Sequence, residues 1–317
     1  MLSYVSACAT LGGHRRLALR IAAPPRRKGE IMATLVMGYD VEFMAIGEGL
    51  ARAGIPDAVG YPDMPHEATG MGLDLIRQAH REFDAPATLF LCGRTLVHAL
   101  PVLRQATAEP LFDFGQHTYS HVLFKDDHWE GGVFRASPPE ALIHEVEASQ
   151  SLLKEHLGID GIGMRTPHGH WEGLRGRPDL LEIIDRAGIK YITSWGRNSD
   201  GGNPTPLDIQ PFWYEEEGYP QILEIPFQFW LDGTWFAAHG NDQGLEFIEV
   251  LKTAIDYIVE HDLVYGVCFH DWAMLHYNEE GTRWVWGLLE YARSRGVDIK
   301  SYTQFYESML AEVPAPT

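Results

Sequence analysis

From Met32 onward, short apolar runs alternate with stretches of helical spacing. Thr34–Tyr39 (TLVMGY), Ala87–Cys92 (ATLFLC), Leu111–Gly115, Gly161–Arg165, Lys190–Thr193, Ile222–Pro226, Tyr265–His270 and Val297–Ser301 have the length and composition of buried strands. Gly72–Glu82 places Leu73, Ile76 and Ala79 on one helical face. Leu96–Thr107, Pro138–Leu157, Pro178–Ala187, Leu245–Glu260, Arg283–Arg295 and Thr303–Glu312 read as further helices. Ser137-Pro138 predicts a cap followed by proline at the first helical position. Repeated β-then-α units argue for an α/β protein on a parallel sheet that closes into a barrel or resembles one. No linker divides the units, so one domain is expected. Asn198–Gly218, rich in Gly, Pro and acids, is the longest irregular segment and a candidate lid. In barrels of this kind, chemistry gathers at the C-terminal ends of the strands.

Several strand ends carry reactive side chains. The first runs into Asp40-Val41-Glu42, and carboxylates at i and i+2 of an extended strand point the same way. Such a pair is costly to desolvate unless a cation lies between the two or one is protonated. The third strand ends in His117-Thr118-Tyr119-Ser120-His121, whose imidazoles reach one metal ion if the segment turns helically. With a carboxylate from another strand end, this makes a site of two histidines and one carboxylate with positions open to water. Arg165 leaves a strand in R-T-P-H-G-H and can hold a carboxylate ionised. His270, in F-H-D-W, is a candidate acid titrating near neutral pH.

Charge and composition narrow the field. The 317 residues hold 44 acidic and 25 basic side chains, a net charge of −19, which speaks against nucleic-acid and acidic-membrane partners. Residues 1–31 carry six basic side chains and one acid, which leaves the remainder at −24. This segment reads as a disordered leader or an early start with Met32 opening the fold, and alternatively as a transit peptide. Residues 313–317 read as a tail. No run of 18 apolar residues is present, and cytoplasmic localisation is expected. Three cysteines make no disulfide framework, and Cys92 and Cys268 read as packed core residues. His168-Gly169-His170 is also an H-x-H, a metal-binding pattern in amidohydrolase barrels, but it lies mid-chain. Trp171, Trp195, Trp230 and Trp272 cluster near the site segments and could stack on a sugar or line an apolar pocket. His66, His239 and His276 lie on loops and read as structural.

In chain order, Y-D-V-E at Tyr39–Glu42, A-T-L-F at Ala87–Phe90, H-T-Y-S-H at His117–His121, R-T-P-H-G at Arg165–Gly169, L-E-I-P at Leu223–Pro226 and F-H-D-W at Phe269–Trp272 resemble the polysaccharide deacetylase (NodB-homology) superfamily. The likeness spans Met32 to Leu310 and is greatest to the intracellular branch with allantoinase-like enzymes and cyclic imide hydrolases. It implies a distorted (β/α) barrel of about seven strands that hydrolyses non-peptide C–N bonds with a divalent metal, most suitably zinc. By resemblance, Glu42, His117 and His121 are the metal ligands, Asp40 is the general base, Arg165 orients it and His270 is the general acid. The His168 backbone N–H falls where the family builds an oxyanion hole, and Asp232 is placed to face the substrate or orient His270. The chain departs from the pattern in having Asp40 with Glu42 where two aspartates are usual. It also has His168 where an aromatic is usual, and no aspartate near Tyr191–Arg197. The implied substrates are an amino-sugar or glycan acetamide, or a small cyclic imide or ureide. A third reading is a sugar-binding barrel without catalysis. Homo-oligomers are expected by resemblance.

Overall fold

The computed structural model describes residues 33–42, 68–129, 132–240, 242–276 and 283–312. The leader, the 313–317 tail and His66 lie outside the described residues, as does the side chain of His276. Those described form a mixed α/β domain within the single compact unit Ile31–Thr317. Among them, no helix is long and apolar enough to cross a membrane.

The central strand is β1 (Thr34–Val41), buried at every residue. It pairs in parallel with β2 (Ala87–Leu91), which pairs with β3 (Phe112–Gln116), and the sheet continues through β6 (Gly163–His170), β7 (Tyr191–Trp195) and β9 (Tyr219–Glu224). On its other side β1 pairs with β10 (Val264–Gly266), β11 (Phe269–His270) and β12 (Asp298–Ser301). Continuous apolar strands fit a parallel sheet covered by helices, because neither face meets water. The largest core cluster packs Ile76, Leu89, Leu251, Ile255 and Leu288 between sheet and helices.

The barrel closes between β9 and β10 without a regular ladder. Gln228 N–H donates to the Gly266 carbonyl at 2.9 Å, and its side chain spans the seam to Gly266 N (2.6 Å) and the Val264 carbonyl (3.1 Å). A Cβ at Gly266 would lie 2.1 Å from the Pro226 carbonyl oxygen, so only glycine permits this approach.

Several elements differ from the sequence expectation. The helix expected over Leu96–Thr107 is two, α2 (Gly93–His98) and α3 (Leu100–Ala106), because Pro101 cannot continue the first. Ser137 caps nothing: Pro138 is the cap residue of α4 (Pro139–Leu152), which runs into a π turn at Leu153–Leu157. The segment expected to be irregular, 198–218, contains β8 (Phe212–Tyr214), antiparallel to β9. His239, read as a loop residue, ends a helix, α6 (Asp232–His239). A hairpin of β4 (Asp127–Trp129) and β5 (Gly132–Phe134) was not foreseen.

Candidate active site

Strand register brings the reactive side chains together. Asp40 is the register partner of His270, and Gln116, just before His117, is the partner of Met164, just before Arg165. All four therefore stand at neighbouring strand ends, with Asp40, Glu42, His117 and Arg165 at most 4% exposed. Arg165 Nη1 donates to Asp40 Oδ1 at 2.8 Å and Nη2 to the Val267 carbonyl at 3.1 Å. Its guanidinium carbon lies 4.4 Å from the Phe90 ring centre and 4.9 Å from that of Tyr302. Burial opposes its charge, but the Asp40 carboxylate outweighs that cost and raises its pKa. A Cβ at Gly38 would lie 2.9 Å from Arg165 Nη2, so the bare backbone there makes room for the guanidinium. The thiol of Cys268 donates to Asp40 Oδ2 at 3.3 Å. Cys268 is buried as expected, yet it touches the carboxylate read as the base.

The histidine pair is not on a helix. Residues 118–120 form a turn in which Thr118 (φ 58°) adopts the left-handed region, as does His121 (φ 60°) after it. Ser120 anchors the turn by donating its N–H and hydroxyl to Glu145, each at 2.7 Å. Such backbone strain in non-glycine residues persists where the surroundings impose it, commonly at functional sites. His117 Nδ1 donates to the Arg165 carbonyl at 2.8 Å, which leaves Nε2 aimed at Glu42 Oε2, 3.0 Å away. His121 Nε2 lies 2.9 Å from the same oxygen. Donors around a tetrahedral zinc with bonds of about 2.0–2.1 Å sit roughly 3.3 Å apart, so this convergence fits a borderline divalent cation. The carbonyl behind His117 is the outer-shell partner that fixes a metal-binding imidazole.

Two donor groups have their ligand atoms within 4.8 Å of one another: Asp40, Cys268 and His270, and Glu42, Cys92 and His117; His121 joins through Glu42 Oε2 alone. Burial, with the neighbouring carboxylates, raises both thiols well above their ordinary range. Burial would also raise the Glu42 carboxyl, but His121, His270 and the hydrogen bonds from His117 hold it well below. Glu42 Oε1 accepts from Trp272 Nε1 at 3.3 Å and lies 3.5 Å from His270 Nε2. The Glu42 N–H donates to Asp271 Oδ1 at 3.3 Å, and burial followed by Glu42 lifts the Asp271 carboxyl to about 7.

His270 is held from behind by Asp232, which accepts its Nδ1–H at 2.5 Å and its backbone N–H at 2.8 Å. Burial opposes its charge, but Asp232 and Glu42 draw its pKa up to about 10. On another side His168, at φ 65°, donates Nδ1–H to Asp127 Oδ2 at 2.8 Å. Its ring lies 5.5 Å from that of His121 and 5.6 Å from Phe134.

Of the tryptophans singled out, Trp272 reaches Glu42 and stands 4.7 Å from the His270 ring. Trp171 and Trp195 meet edge-on at 5.3 Å, and Trp230 packs on Trp235 and His239. Glu224 of L-E-I-P accepts from Ser194 N and Oγ, Trp195 N and Tyr214 OH, so it locks β7 to β9 and β8. Asp127, Arg197 and Asp271 were missed. Asp271 follows His270 directly, a signal that was available, whereas Asp127 and Arg197 lie in segments with no motif.

The polysaccharide deacetylase family profile matches residues 61–192. The fold is similar to that of Puue allantoinase, with a TM-score of 0.67 and 18% identity, covering 93% of this chain and 96% of that one. It is also similar to a chain described as a probable polysaccharide deacetylase from Pseudomonas aeruginosa PAO1, at TM-score 0.64 and 16% identity, covering 90% and 93%. A third similar fold is that of a CE4 family pseudoenzyme from Bacillus anthracis, at TM-score 0.50 and 11% identity, covering 87% and 66%. None of the curated proteins matches in sequence. Profile and fold agree with the NodB-homology superfamily that the motifs resemble. The fold is the (β/α)-barrel type of these two structures.

Proposed function

We propose that this chain is a metal-dependent hydrolase of non-peptide amide C–N bonds. The observation that carries the reading is the meeting of His117 Nε2 and His121 Nε2 on one oxygen of Glu42, beside an Asp40 held by Arg165. A divalent ion on Glu42, His117 and His121, zinc by the character of the donors, would supply Lewis-acid polarisation of the substrate carbonyl. Asp40, fixed by Arg165, accepts the proton of the attacking water. His270, oriented by Asp232, returns a proton to the departing nitrogen. The His168 backbone N–H is the expected donor to the tetrahedral oxyanion.

The first substrate reading is an acetamide on an amino sugar or glycan. A small cyclic imide or ureide is favoured by one specific observation: the position after Pro167 holds a hydrogen-bonded histidine, His168, instead of an aromatic platform. The test is a panel of chitooligosaccharides, succinimide-like imides and allantoin, assayed with zinc-loaded full-length protein. Acetate release supports the first reading, and ring opening supports the second. No turnover and no bound metal would contradict both and leave a sugar-binding barrel.

A further inference from the structure

Arg197 lies two residues beyond the end of β7 and is 5% exposed. Nη1 donates to Asn203 Oδ1 at 2.6 Å, and Nη2 stands 3.7 Å from Asp127 Oδ2, longer than a hydrogen bond. Nε is buried with no hydrogen-bond partner. Asn203 is fixed in turn by donating to the Gly196 and Phe229 carbonyls. A buried guanidinium with unspent donors is rare unless a ligand completes it. Asp127 is already committed to His168, whose ring adjoins that of His121. A polar seam of Arg197, Asp127 and His168 thus reaches the ring of His121, a candidate metal ligand, and shares no residue with the Asp232–His270 pair. The left-handed φ of His168 (65°), a non-glycine residue, supports a wall held in place at a backbone cost.

We infer that Arg197, steadied by Asp127 and Asn203, forms a recognition subsite for a second carbonyl-type oxygen on the substrate, apart from the oxygen of the scissile amide. This rests on the hydrolase reading for the identity of the substrate, but not for the binding event. A monoacetamide lacks the second oxygen. An imide supplies a neutral carbonyl there, and an amide bearing a carboxylate supplies an anion.

The test is calorimetric titration of full-length, zinc-loaded protein with succinimide, succinamate and N-acetylglucosamine, in wild type, Arg197→Gln and Arg197→Lys. Wild type is expected to bind succinimide or succinamate more tightly than N-acetylglucosamine, and the stronger of the two identifies carbonyl or carboxylate. Arg197→Gln should weaken the preferred ligand about ten- to a hundredfold more than it weakens N-acetylglucosamine, the scale of a hydrogen bond to a charged donor. Arg197→Lys, which keeps the charge but loses the fork, should fall between. Thermal unfolding of each variant checks that the loop tie to Asn203 survives. Equal weakening of all ligands, or a wild type that binds neither dicarbonyl compound, overturns the inference. Selective binding without hydrolysis of any amide leaves the subsite standing and removes the hydrolase reading.

Discussion

Asp232 shows how one side chain can serve chemistry through another, His270. It accepts two hydrogen bonds from His270, one from the ring and one from the backbone, so it sets both position and tautomer. Asp232→Asn keeps the shape but removes the negative charge that favours imidazolium. We expect turnover to fall about 10²- to 10⁴-fold, the usual scale for a general acid, with zinc content unchanged. Steady-state kinetics beside elemental analysis checks this, and full activity would remove His270 from the acid role. Glu42 and His117 could be singled out because each directly follows an apolar strand, and His121 by its spacing from His117. Cys268 was legible as buried but not as a partner of Asp40, since nothing in a strand pattern says which interior group a thiol will meet.

At the level of elements, the strands were visible in their apolar runs, and most began or ended within a few residues of the expected places. The histidine turn was not: H-x-x-x-H suggests one helical turn, whereas tertiary anchoring by Glu145 imposes a left-handed turn. The β4–β5 hairpin was also hidden, because its three-residue strands are too short to show alternation. Barrel closure depends on Gly266, where a methyl group would meet both the Pro226 carbonyl and the Tyr302 hydroxyl. Gly266→Ala should cost about 3 kcal/mol, because the nearer clash is with backbone that cannot rotate away. Urea unfolding of the two proteins measures this, and equal midpoints would show that the seam yields.

The chain carries −24 outside residues 1–31, and part of that formal charge lies at the candidate site as Asp40, Glu42 and Asp232. Its acid stability turns on buried histidines. Burial lowers His80 to about 4, and its two ring nitrogens are already committed to Tyr39 and the Ala85 carbonyl. Burial, then Lys125, lowers His170 to about 3. Both stay neutral in the fold while the unfolded chain takes up protons below 6.5, so their contribution is lost as pH falls from there towards 4 and 3. Asp113, raised to about 6 by burial, acts in the opposite sense, stabilising at low pH and losing that effect as pH rises through 6. Denaturant midpoints between pH 7 and pH 4.5 isolate His80 when compared with His80→Gln. The wild type should lose up to about 3 kcal/mol more than the variant on acidification. Parallel curves would contradict this.

The central claim is that Glu42, His117 and His121 hold one divalent ion on which amide hydrolysis depends. Elemental analysis of purified full-length wild type and His117→Ala, each assayed on the amide panel, tests it most directly. One ion per wild-type chain is expected, with metal and turnover both lost in the variant. A His117→Ala protein that hydrolyses the same amide at the wild-type rate would contradict the account.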